Sequence, residues 1–193
     1  CIADFLTANG METKTATLAE PEHGLTEEVL NNTDVLIWWG HMAHGEVNDA
    51  LVTKIQRRVY MGKMGFIALH SAHHSKPFRA IVGTMGNLTW GRNQREIMWN
   101  MLPTHPIAAG IPDKFFIESE ELYAEPFFVP QPTELIFGGW YEDGYIFRSG
   151  MTYLRDPGKI FMPAYAEYII HKNQMLGSAG KLEEVRKFIE AAK

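Results

Sequence analysis

The stretch from Asp34 to Ser75, DVLIWWGHMAHGEVNDALVTKIQRRVYMGKMGFIALHSAHHS, constrains the fold more than any other. Its two apolar runs, Val35–Trp39 and Phe66–Leu69, are too short for helices and are bounded by Gly or turn signals, so both read as buried strands. Between them Val47, Leu51, Ile55 and Val59 recur at intervals of four and draw an apolar stripe along one helix face. Together these make a β-α-β unit, whose strands should be parallel and whose crossover right-handed. Both runs then end in histidines: His41 and His44 after the first, His70, His73 and His74 after the second. In a parallel sheet adjacent carboxyl ends open onto one crevice, where ligands bind. Five of the eight histidines are therefore expected on one rim.

Composition removes several function classes. The net charge of −5 over 193 residues is dispersed, without a basic stripe, which argues against nucleic acid. No apolar run approaches the ~18 residues that span a bilayer, and the first residues lack the pattern of a signal peptide. One cysteine, Cys1, allows neither a disulfide framework nor a Cys-based zinc motif, so a reducing, cytoplasmic setting is expected. A single domain over 1–193 is expected, with no internal repeats.

Other elements can be placed along the chain. Ile2, Phe5 and Leu6 suggest a helix stopped at Asn9-Gly10. Lys14–Leu18 alternates like a strand. Thr26 should cap a short helix with Glu27 and Glu28 in its first turn. Pro77–Val82 reads as a helix with Pro near its start. Strands are expected at Phe115–Ile117, Leu135–Phe137, Tyr145–Phe147, Met151–Leu154 and Lys159–Met162. A Pro-rich loop should cover Glu125–Thr133, and Asp143-Gly144 should make a type I′ hairpin turn. Leu182, Val185, Phe188 and Ile189 mark an amphipathic helix. The aromatic and Met residues of Trp90–Met101 suggest an oligomer patch, so a homo-oligomer is possible.

Several residue types here can carry chemistry. Small neighbours at Ala68 and Ala72 allow a sharp strand-to-helix elbow with His70 at its tip and Ser71 beside it, and a histidine there suits acid–base work near neutral pH. His41 and His44, joined by His73, can hold a divalent ion such as zinc; His41 and His73 are the ligands singled out. Glu121 and Glu125, read as loop carboxylates, can serve as base, relay or ligand. Trp38, Trp39 and Trp90 can floor a sugar site, and Tyr123 can supply a hydrogen-bonding contact. No Gly-rich phosphate loop is present, so no nucleotide cofactor is expected.

Six segments taken together resemble the trehalose-utilisation, or ThuA-like, family: Glu20-Pro-Glu-His-Gly-Leu-Thr, Asp34-Val-Leu-Ile-Trp-Trp-Gly-His-Met-Ala-His, Leu69-His-Ser-Ala-His-His-Ser-Lys, His105-Pro-Ile-Ala-Ala-Gly-Ile, Glu120-Glu-Leu-Tyr-Ala-Glu and Phe147-Arg-Ser-Gly. The resemblance implies an α/β fold of the class I glutamine-amidotransferase-like, flavodoxin-like kind: a three-layer, doubly wound, mostly parallel sheet with short β additions in the C-terminal half. It implies a role in carbohydrate utilisation and puts His70-Ser71 where amidotransferases carry their nucleophilic Cys, which argues against glutaminase activity. It also implies a first strand N-terminal to Cys1 and a Gly-His-Glu motif after Phe161; the text there is Met162-Pro-Ala-Tyr, and the last thirty or so residues inherit no family role. The resulting expectation is a sugar or keto-sugar enzyme using His41, His44, His70, Ser71, His73, Glu121 and Glu125, with Trp39 and Tyr123 on the substrate. A non-catalytic sugar-binding or regulatory module is the alternative.

Overall fold

The N-terminal apolar residues form α1 (Ile2–Ala8), which ends in a turn at Asn9-Gly10. Residues 11–17 then run without regular structure, against the strand expected at Lys14–Leu18. The reason is local. Glu20 Oε1 accepts from the Thr17 N–H (2.7 Å) and hydroxyl (3.1 Å), so a side chain satisfies backbone that a sheet would otherwise pair. Thr26 caps α2 (Glu27–Asn31), its hydroxyl accepting from Val29 N–H.

β1 (Val35–Trp38) leads through α3 (Asp49–Tyr60) to β2 (Gly65–Ala68), and the two strands pair in parallel with Trp38 opposite Ala68. The stripe Val47, Leu51, Ile55 and Val59 is buried. Asn48 caps α3, its side chain accepting from the N–H groups of Ala50 and Leu51. α4 (Lys76–Val82) follows the second histidine cluster, with Pro77 in its first turn. Along β2 the side chains alternate between two cores. Phe66 and Ala68 pack with residues of α3 and α4, while Ile67 joins Leu6 of α1 on the other face. Helices thus cover both faces, as a doubly wound three-layer fold requires.

The computed structural model describes residues 2–155 and 158–163. β3 (Thr89–Asn100), β4 (Lys114–Ala124), β5 (Glu134–Tyr141), β6 (Ile146–Arg155) and β7 (Gly158–Pro163) complete one seven-stranded sheet among them, in the order β1-β2-β7-β6-β5-β3-β4. β1, β2 and β7 are parallel, and every pairing from β7 through β6, β5 and β3 to β4 is antiparallel. The α/β class is as expected, but the antiparallel part is larger than short additions. Glu118–Ala124, read as loop, continues β4, and the two strands expected at Tyr145–Phe147 and Met151–Leu154 are one strand, β6. The hairpin at Glu142-Asp143-Gly144 forms, with Gly144 at φ 87° and its N–H donating to Tyr141 O. Asp143 stays at negative φ, so the turn is a longer loop than the two-residue type I′. The amphipathic pattern at Leu182–Ile189 lies outside the described residues. None of the helices among them is long and apolar enough to cross a membrane.

Candidate functional site

The chain leaves β2 through a sharp bend at His70, whose φ of 51° is uncommon for a residue with a side chain. Ala68 and Ala72, both fully buried, let the backbone fold back there. His70 is 1% exposed. Its Nε2 stands 2.8 Å from Glu121 Oε2, and its Nδ1 is 3.3 Å from the Tyr123 hydroxyl, with the two rings stacked at 4.7 Å. The Glu121 contact lies off the ring N–H axis and is a close polar contact rather than a linear hydrogen bond. A carboxylate at Nε2 favours a proton there, which leaves Nδ1 to accept from Tyr123 O–H.

Glu121 is held from its other side. Trp90 Nε1 donates to Glu121 Oε1 at 2.6 Å, and the Glu121 side chain is 24% exposed. The pair with His70 is therefore approached from the glutamate.

β3 and β4 are the elements that bring this carboxylate over the β2 end. Their register shifts twice, between Gly91 and Gln94 and between Gln94 and Glu96. Such irregularities re-aim side chains. Consecutive Glu120 and Glu121, which a regular strand would send to opposite faces, here line one pocket with Tyr123, and Glu96, Tyr141, Phe147 and Ser149 form the rest of its wall. The pocket is narrow, with room for about one water molecule.

Glu96 is 2% exposed, and Ser149 Oγ donates to its Oε1 at 3.2 Å. Burial pushes its carboxyl up to about 7, against the hydrogen bonds from Ser149 and Tyr141. Tyr141 is pushed above its ordinary value, first by burial and then by the Glu96 charge. Gly139 on β5 makes room for this carboxyl, because a Cβ there would run into Glu96 Oε1 and Ser149 Oγ.

The other histidines have distinct settings. Ser71 Oγ donates to the Gly40 carbonyl at 2.6 Å, so its lone pairs accept from His41 Nδ1–H at 3.2 Å. In this arrangement the Ser71 hydroxyl donates to the Gly40 carbonyl rather than to the imidazole. His41 is exposed, edge-on to Trp39 and to His70 at 5.0 Å each, and Trp39 is half exposed.

His73, 1% exposed, donates Nδ1–H to Gly86 O at 2.6 Å. Gly86 (φ 69°) must be glycine, since a Cβ would run into the His73 carbonyl. Burial first, then the neighbouring His74, lowers His73 to about 3, so it is neutral at ordinary pH with Nε2 unprotonated. His44 is lowered by burial and by Arg79, and its ring lies 5.8 Å from that of His74. It sits in a short turn after β1; α3 starts only at Asp49, so His41 and His44 do not share a helix face. Among the described residues, no group of three or more His, Cys, Asp or Glu side chains is arranged to hold a metal ion.

Glu125 is bound by Arg148 and by the backbone of Phe127. Arg148 Nε and its terminal nitrogen donate to the two Glu125 oxygens at 2.7 and 3.0 Å, and Phe127 N–H donates at 2.7 Å. Burial acts to raise Glu125, but Arg148 and the Phe127 N–H outweigh it and hold the carboxyl below its ordinary value. This pair ties the loop after β4 to β6. His23, read as a plain loop residue, is a staple: Asn48 N–H donates to its Nε2 (3.2 Å) and its Nδ1–H to Leu18 O (2.8 Å), joining the N-terminal loop to the start of α3.

Sequence reasoning did not single out Glu96, Tyr141 or Ser149. An acid directly before the apolar run Ile97-Met98-Trp99 was the available signal for Glu96, and the Phe147-Arg-Ser-Gly segment for Ser149.

A parallel strand pair whose ends present histidines, faced by carboxylates and phenols from an antiparallel extension, defines an α/β protein of flavodoxin-like topology with a titratable crevice at the strand ends. The chain belongs to the ThuA family, whose description is trehalose utilisation and which matches residues 1–142. Solved structures share the fold. A ThuA-like protein from Parabacteroides merdae ATCC 43184 superposes with a TM-score of 0.55 at 14% identity, covering 67% of this chain and 58% of that one. A ThuA-like protein from Bacteroides uniformis ATCC 8492 gives 0.54 at 15% identity (83% and 71%). A cytoplasmic protein from Salmonella typhimurium gives 0.58 at 11% identity (83% and 72%). This chain thus spans less than two thirds of the first of these structures. No curated protein matches the sequence.

Proposed function

We propose that this protein acts in carbohydrate utilisation as an enzyme that moves a proton on a sugar or keto-sugar, with Glu121 and His70 as the proton-transfer pair. The observation that carries the reading is the buried His70, held at positive φ with Glu121 at one ring nitrogen and Tyr123 at the other. Strained backbone of this kind concentrates at active sites. A carboxylate oriented by an imidazole and an indole N–H is a positioned base, whose contribution is typically 10²–10⁴-fold. Trp39 and Trp90, both half exposed beside the pair, offer flat apolar faces to the C–H surface of a sugar ring. The family's link to trehalose supplies the substrate class.

The test is hydrogen exchange in D2O. A C–H next to the carbonyl of a keto-disaccharide should exchange in the presence of the protein and fail to do so with Glu121→Gln or His70→Gln. Unchanged exchange in both variants would sink the reading. Metal analysis belongs beside it: a stoichiometric divalent ion, lost in both His41→Ala and His73→Ala, would favour metal-assisted chemistry instead.

A non-catalytic sugar-binding module is the second reading, favoured by the near-complete burial of His70. It predicts sugar affinity by calorimetry that survives His70→Gln, with no exchange or turnover.

A further inference from the structure

We propose that Glu96 is the inner end of a proton relay, linked through the pocket between β3, β4, β5 and β6 to Glu121 at the crevice. The inference rests on the reading of Glu121 as the proton-transfer group. Glu96 does not reach the crevice; it acts through Glu121.

Three observations carry it. Glu96 and Glu121 line one pocket although they lie on different strands, and the double register shift of β3 against β4 puts them there. That pocket is polar, with room for about one water, and the Ser149 and Tyr141 hydroxyls stand beside Glu96. Water in such a space is stable when it finds two to four polar partners. Finally, the carboxyl is accommodated at some expense to the sheet: Gly139 lacks the Cβ that would displace it. A buried acid is costly in a purely structural position, where an apolar residue of similar size would pack without needing partners.

The titratable groups facing Glu96 are Tyr141 from β5 and Glu120, Glu121 and Tyr123 from β4, while Ser149 of β6 is a non-titrating donor. Glu96 therefore changes charge near neutrality by burial rather than through a cationic partner. In the relay, Glu121 accepts a proton from the substrate and passes it through pocket water to ionised Glu96. Glu121 is again a carboxylate, Glu96 is the neutral acid, and no electron pair leaves the substrate for the protein. Reversal returns the proton.

The test follows the Glu96 carboxyl by 13C NMR against pH. In the wild type its midpoint should lie near neutrality, and Glu121→Gln, by removing a like charge that lines the same pocket, should lower it. A midpoint in the ordinary carboxylate range, or one that Glu121→Gln leaves in place, overturns the proposal. The exchange reaction gives the second arm. Because the relay needs ionised Glu96, the wild-type rate should rise through pH 7. Glu96→Gln should remove that limb and lower kcat about 10-fold or more with KM unchanged. Gly139→Ala, which crowds the carboxyl, should do the same. A Glu96→Gln protein that is folded by circular dichroism and keeps the limb also overturns it. If the wild type shows no exchange on any sugar, the proposed function fails, and the NMR arm still decides whether Glu96 and Glu121 share a network.

Discussion

The Trp90 indole N–H donates to Glu121 Oε1 at 2.6 Å while the other oxygen of the same carboxylate faces His70 at 2.8 Å. One side chain is thereby fixed at both ends, from a half-exposed tryptophan on β3 and a buried histidine after β2. Hydrogen bonds to charged groups contribute about 1.5–3 kcal/mol. Trp90→Phe keeps the ring and removes the donor. It should reduce sugar-directed turnover by about 10-fold or more, read as kcat, with little change in melting temperature because the indole is half exposed. Arg92, over the Trp90 ring at 5.2 Å, helps keep the indole in place, so Arg92→Ala should give a smaller loss in the same direction.

Acid should unfold the protein partly through His73. Its folded value of about 3 lies below the unfolded 6.5, so between those limits the unfolded chain binds the extra proton and stability falls as pH falls. Glu96 acts in the opposite sense. Its folded value of about 7 lies above the unfolded 4.5, so the folded protein holds the extra proton and stability falls as pH rises across that window. Each full proton is about 1.4 kcal/mol per pH unit. Between about pH 4.5 and 6.5 the two contributions oppose each other, so Glu96→Gln should make the protein lose stability as pH falls, and His73→Asn should make it lose stability as pH rises. Urea midpoints at closely spaced pH values read both slopes, and the two variants shifting the same way would contradict the assignment.

The Glu125–Arg148 pair holds the loop between β4 and β5 against β6, and its chemistry is that of a brace. Glu125→Gln leaves Arg148 with one good acceptor fewer in a partly buried place. A loss of about 1–3 kcal/mol in denaturant unfolding is expected, and Arg148→Ala should cost a similar amount. The double variant should cost less than the sum of the two.

Ile55 tests the crossover helix. It is fully buried on α3 against the β2 face, and Ile55→Ala should cost about 2–5 kcal/mol through lost burial and the cavity left behind. Thermal unfolding reads this directly.

Much of the parallel half was legible in the sequence because its signals are local. Val35–Trp38 and Phe66–Ala68 are short apolar runs, the α3 stripe repeats at helical spacing, and Thr26, Asn48 and Pro77 mark helix starts. The elbow could be read from Ala68 and Ala72. β3 was not legible. Its inward face carries Glu96 next to Met98, and its outward face carries Trp90 and Trp99, both exposed. Apolar and polar residues thus trade the sides that alternation assigns them. The irregular pairing opposite Glu120 has no sequence signature either, since a register shift is a property of two strands together. That is why Glu121 was read as a loop carboxylate, and why Glu96 and Ser149, about fifty residues apart, were not connected. Lys14–Leu18 failed for the converse reason: its alternation was real, but Glu20 satisfies its backbone locally.

The place of β7 has a consequence for synthesis on the ribosome. This strand, made after the other six, lies between β2 and β6, parallel to the first and antiparallel to the second. Until Gly158–Pro163 has emerged, the β1-β2 pair and the four-stranded antiparallel part have no shared edge, and two unpaired strand edges stay open to other chains. A nascent or truncated product ending before Gly158 should accordingly be a client for chaperones and prone to aggregate, although it already carries the histidines, Glu121 and Glu96.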